Sequence, residues 1–168
     1  MTSEITMDEK SNEATNGNMM HELKERVKEL NCFYRITKIV NDSKLSIDEA
    51  LQRIVELMPP AWQFPDVTCV RISLEGRKEF KTENYKRTKW TLSSDIVVDE
   101  KKIGALEVYY LEEKPQVGEG PFLLEERRLI DGIAREMLVR SMNAMVYMMK
   151  ATGMTRSQRR SCIGLRPN

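Results

Sequence analysis

Between Val67 and Leu111 the apolar residues leave helical spacing for a two-residue alternation, and that switch confines the chain to a sheet bracketed by helices. Thr68, Val70, Ile72 and Leu74 alternate with Cys69, Arg71 and Ser73, the pattern of a half-buried strand. Glu75-Gly76-Arg77 supplies turn residues, so Lys78 to Tyr85 is expected to return as a hairpin partner. Trp90, Leu92, Ile96 and Val98 share one face of a third strand, and Asp99-Glu100-Lys101 turns the chain into Lys102 to Leu111. That last run, KIGALEVYYL, carries the strongest strand propensity in the sequence.

On the N-terminal side, Leu23, Val27, Leu30, Tyr34 and Thr37 recur at alternating four- and three-residue steps, which makes a heptad seam suited to pairing with another helix. Phe33, Ile36, Ile39 and Val40 form a second apolar row, so this helix, expected over about Asn18 to Val40, has a face for its own domain and a face for a second chain. Ser46 and Glu49 have capping-box spacing ahead of an amphipathic helix from Ile47 to Met58, which Pro59-Pro60 stops. After a loop from Glu112 to Gly120, a long helix keeps its period to about Thr152, with Gly153 as its cap. Helix, helix, four strands and helix define an α+β class, an antiparallel sheet covered by N- and C-terminal helices. Residues 1–17 read as a disordered polar lead-in, 18–152 as the domain with its flanking helices, and 153–168 as a disordered basic tail.

The 168 residues allow one domain with a sizeable core. Lysine and arginine number 27 against 26 acidic residues, a balance unlike that of a protein built to neutralise nucleic-acid phosphates. No apolar run is long enough to span a bilayer, and MTSEITMDEK lacks the basic start and apolar core of a signal peptide, so a cytoplasmic protein without a membrane is expected. Cys32, Cys69 and Cys162 are far apart with no CxxC pair, which indicates reduced thiols and neither a metal site nor a cofactor.

The phrases KERVKELNCFYRITKIV, IVELMPPAWQFPDVTCVRI, EFKTENYKRTKW, SSDIVVDEKKIGALEVYYLEEKP and EGPFLLEERRLIDGIAREM resemble GAF-type sensory domains of bacterial and archaeal sensor histidine kinases, over about Glu22 to Leu138. The resemblance implies a GAF-like sheet sandwiched by helices, a cytosolic sensory role in a two-component system, and dimerisation through helices. The chain reaches Asn168 too soon after Leu138 to hold a kinase core and carries no Gly-rich nucleotide lid, so kinase activity is not expected.

His21 is the sole histidine. His21-Glu22-Leu23 is similar to the start of a phosphoacceptor helix, but the proline that follows in that motif is missing, and a solvated helix-end histidine is the plainer reading. A Ser or Cys nucleophile needs a base within hydrogen-bonding reach, and the sole histidine lies near the end of the first helix, so no catalytic residues are assigned. Glu112-Glu113, Glu125-Glu126, Lys86-Arg87 and Arg127-Arg128 read as solvated surface or helix-dipole compensation. The resemblance implies that any ligand pocket lies on the sheet face turned from the helices, where Arg71, Thr82, Trp90, Glu107 and Tyr109 are the residues expected to line it. The competing structural reading makes Arg71 and Glu107 a cross-strand pair and lays Trp90 and Tyr109 on the sheet. The short link from Lys86 to Lys89 argues against a roomy pocket.

Among 11 methionines, Met137, Met145 and Met148 join Ser141 on the final helix as a pliable surface, expected with Leu23, Val27, Leu30 and Tyr34 to form a homodimer interface. The expected function is a non-catalytic sensory or regulatory module that signals through dimeric helices, with the identity of any small-molecule ligand open. A scaffold that docks on a separate sensor kinase and binds no small ligand is the alternative, and an enzyme with an unrecognised pocket is a third reading.

Overall fold

The fold was analysed in a computed structural model that describes residues 5–98 and 100–138, with the backbone alone for 5–16, 137 and 138. Helix α1 runs Ile5–Val40 and α2 runs Ile47–Leu57. Strands β1 (Thr68–Leu74), β2 (Phe80–Lys81), β3 (Thr91–Val98) and β4 (Lys101–Tyr110) form one antiparallel sheet in the order β2-β1-β4-β3, and α3 (Leu124–Gly132) leads into a π-helical turn at Ile133–Leu138. The class is α+β, a four-stranded antiparallel sheet flanked by N- and C-terminal helices.

Alternate apolar residues of the strands enter one cluster. Val70, Ile72 and Leu74 of β1, Leu92 and Ile96 of β3, and Leu106, Val108 and Tyr110 of β4 meet Cys32 and Ile36 of α1, Leu51, Ile54 and Val55 of α2, and Leu129, Ile130, Ile133 and Ala134 after the sheet. The helices therefore share one sheet face, and among the described residues the arrangement has two layers rather than a helical sandwich. Burial drives that layering, since each fully covered Leu, Ile or Val contributes roughly 1.5–3 kcal/mol.

The capping box at α2 forms as its spacing predicts: Ser46 Oγ accepts from Glu49 N at 3.2 Å, and Glu49 Oε2 accepts from Ser46 N at 2.8 Å. That hydrogen bonding holds the Glu49 carboxyl below the ordinary glutamate value. Two expectations are corrected. Helix α1 starts at Ile5 rather than near Asn18, so the ladder of backbone hydrogen bonds runs through most of the stretch read as a lead-in. Strand β2 is far shorter than Lys78 to Tyr85, because Thr82 ends it. Thr82 N donates to Val70 O at 3.1 Å while the Thr82 hydroxyl, in place of a backbone carbonyl, accepts from Val70 N at 3.1 Å. The chain then turns, with Tyr85 N donating to Thr82 O, and a two-residue edge strand offers little to a foreign strand.

The C-terminal helix is fastened from inside. Glu126, 2% exposed, accepts Gln63 N at 2.8 Å and the Tyr110 hydroxyl at 2.6 Å on Oε1, and Leu123 N at 2.7 Å on Oε2. It thereby ties the α2–β1 connection, β4 and the start of α3 to one carboxylate. For Glu126 the structure replaces the solvation expected of Glu125-Glu126 with burial. Arg127, expected on wet surface, is likewise engaged: it pairs with Glu119 and Asp131 and donates to Ser93 O at 2.7 Å.

Candidate functional site

The sheet face opposite the helices carries Cys69, Arg71 and Ser73 of β1 beside Tyr109, Glu107 and Ala105 of β4. Arg71 and Glu107 are register partners, and the Arg71 Nε donates to Glu107 Oε2 at 2.6 Å. The same guanidinium reaches Glu79 Oε1 at 3.1 Å, and Glu79 in turn meets Lys81 Nζ at 2.7 Å. These bonds, Lys81 foremost, hold the Glu79 carboxyl below its ordinary range. Arg71 is thus committed to two carboxylates, and a ligand anion would have to displace them.

Beyond Thr82 the connection to β3 folds over one end of this face. The Tyr85 ring stands edge-on to Tyr109 at 5.6 Å, Lys81 Nζ lies 5.0 Å from the Tyr85 ring centre, and the Cys69 thiol approaches Lys86 O at 3.5 Å. Cys69 and Tyr109 are consequently buried without belonging to the main core cluster. Burial raises both groups above their ordinary pKa, and for Tyr109 hydrogen bonding with Glu107 adds to the shift. The short link read from sequence acts as a cover of its own.

The residues proposed for one pocket therefore divide between the two sheet faces. Arg71, Glu107 and Tyr109 share the outer face, whereas Trp90 packs against the helix-side core, with Lys89 Nζ 4.9 Å over its ring. Thr82 lies at the sheet edge and lines an open depression of about 410 Å³ with Glu56, Pro59, Pro65, Thr68, Glu83 and Asn84. Side-chain alternation accounts for the split. Trp90 has the parity of Leu92, and Thr82 that of Phe80, both of which point into the core.

A second depression, about 420 Å³, lies between α1 and α2 and is lined by Arg35, Lys38, Ile39, Arg53, Glu56 and Leu57. Sequence reading missed it. Its basic residues are visible as charges, but nothing local states which faces of the two helices meet.

The α1 seam is solvent-exposed along its length: Leu23 is 59% exposed, Val27 49%, Leu30 67% and Tyr34 60%. On the opposite side of the same helix Cys32 and Ile36 are buried, and burial pushes the Cys32 thiol up to about 12, which keeps it protonated and inert. Met137 is described by its backbone alone, and Ser141, Met145 and Met148 lie outside the described residues. His21 is exposed on α1. Among the described residues no group of three or more His, Cys, Asp and Glu is placed to hold a metal, and no helix is long and apolar enough to cross a membrane. No family model matches this chain, and neither does any curated protein or solved structure.

Proposed function

We propose that this chain is a non-catalytic, GAF-like sensory or regulatory module of prokaryotic two-component signalling, working in the cytoplasm as a homodimer that signals through its helices. The observation that carries the reading is the two-faced α1: Cys32 and Ile36 are locked in the core while Leu23, Val27, Leu30 and Tyr34 form an uncovered apolar stripe. An exposed row of large apolar side chains at heptad spacing is costly in water and fits a second helix. Val27 then takes an a position and Leu23 and Leu30 take d positions, the combination that favours two-stranded packing. Because the same rigid helix touches the core, a shift in domain packing reaches the partner as a change in helix geometry.

Leu30→Asp is expected to convert dimer to monomer in sedimentation equilibrium while far-UV circular dichroism stays unchanged. Its cost to the monomer should stay within about 0.5 kcal/mol, as for other surface sites. An undiminished dimer would remove the basis of the reading. The scaffold alternative draws support from the Arg71–Glu107–Glu79 network, which engages the Arg71 guanidinium with two carboxylates rather than leaving it for a ligand anion. The two separate on ligand-dependent stabilisation: a sensor's unfolding midpoint rises with its ligand, and a scaffold's does not.

A further inference from the structure

The α1–α2 depression concentrates positive charge over an apolar lining. Arg35, Lys38 and Arg53 surround Ile39 and Leu57, and the single carboxylate in the lining, Glu56, already accepts Gln52 Nε2 at 2.8 Å. Arg26, Arg71, Arg77 and Arg127 each form an ion pair, whereas Arg35, Lys38 and Arg53 form none among the described residues. Lys38 Nζ rests instead 4.7 Å over the Tyr34 ring. Arg53 acts at a distance on Glu49, whose carboxylate is taken by Ser46.

Three neighbouring cations repel one another, and an anion that enters among them relieves that repulsion. Arginine forks match the oxygens of a carboxylate or phosphate, and the adjoining apolar lining suits a hydrocarbon arm. We infer that this groove binds a small anion bearing an apolar arm, its carboxylate or phosphate held by Arg35 and Arg53 and its arm laid on Ile39 and Leu57. The site is separate from the sheet-face residues Arg71, Glu107 and Tyr109. Its consequence for signalling rests on the reading above: Lys38 joins the groove to Tyr34 of the seam, so an anion that draws Lys38 away alters the surface offered to the second chain.

The test titrates sodium hexanoate, inorganic phosphate and hexanol into the full chain and follows the arginine Nε–Hε signals by NMR. Saturable shifts of Arg35 and Arg53 are expected with hexanoate, weaker ones with phosphate, and none with hexanol. Saturation by phosphate as tight as by hexanoate would overturn the apolar arm of the inference, since phosphate lays nothing on Ile39 and Leu57. The variant Arg35→Gln/Arg53→Gln should bind about tenfold more weakly or worse, as befits lost charge-assisted hydrogen bonds. Its unfolding midpoint should match the parent, since both side chains are exposed. No saturable shift, undiminished binding by the variant, or tighter binding of polyglutamate than of either small anion overturns the inference, the last in favour of an acidic protein partner. Hexanoate binding should persist in Leu30→Asp, which separates failure of the groove from failure of the dimer.

Discussion

Glu126→Ala is expected to lower the unfolding free energy by about 3 to 5 kcal/mol, because it leaves buried donors without an acceptor. The orphaned groups are Gln63 N, Leu123 N and the Tyr110 hydroxyl, and Tyr110 also stacks on Phe122 with ring centres 4.4 Å apart. In a chain of this size the loss corresponds to roughly 10 °C in the unfolding midpoint, readable by calorimetry. Glu126→Gln should lie between the two, since its carbonyl can still accept Gln63 N and Tyr110 while its amide opposes Leu123 N.

The pH dependence follows from the same burial. Desolvation raises the Glu126 pKa above its ordinary 4.5, and the negative charge of Glu25 adds to the rise, against the three hydrogen bonds that lower it. A folded-state value above the unfolded one means that the group's contribution is complete below 4.5 and is lost as pH rises through the folded value. Glu49 and Glu79 run the other way: their lowered values place their losses below 4.5, outside that window. Denaturant titrations between pH 7 and about 4.5 should therefore show the parent gaining stability on Glu126→Gln as pH falls. A difference that stays flat would show that Glu126 is not the titrating group.

Gly104→Ala should be comparably damaging. Gly104 faces Ile96 of β3 on one side and Leu74 of β1 on the other, at the register shift between Ile96 and Val97. A methyl group at Gly104 would press into the Ser73 carbonyl oxygen and come within 2.9 Å of Leu74 Cδ2. The carbonyl is backbone held in a ladder, so relief requires β1 and β4 to separate, at an expected cost of about 3 kcal/mol. Equilibrium unfolding in urea measures it. A variant within experimental error of the parent would mean that the bulge absorbs the methyl group.

Much of the architecture could be read locally. Periodicity alone gave the α+β class and the order of elements, since a two-residue or helical repeat records which side of an element is buried. Ser46 and Glu49 marked the start of α2 because a capping box is complete within one turn of helix. The exposed seam and the buried row of α1 were likewise written in spacing, and both faces stand where that spacing puts them.

What only the tertiary structure decided depends on groups distant in sequence. Residue type suggested Arg71, Thr82, Trp90, Glu107 and Tyr109 as one pocket, with a cross-strand Arg71–Glu107 pair as the competing reading; that pair forms, and strand parity with the early peel-off at Thr82 sets Trp90 and Thr82 apart from the outer face. Glu126 looks like any acidic residue in a first helical turn until Gln63 and Tyr110 converge on it from other elements. The Arg35–Lys38–Arg53 groove exists because α1 crosses α2 at that point. Local pattern fixes what an element buries; packing alone fixes which elements share a burial, and the candidate sites of this protein lie at those junctions.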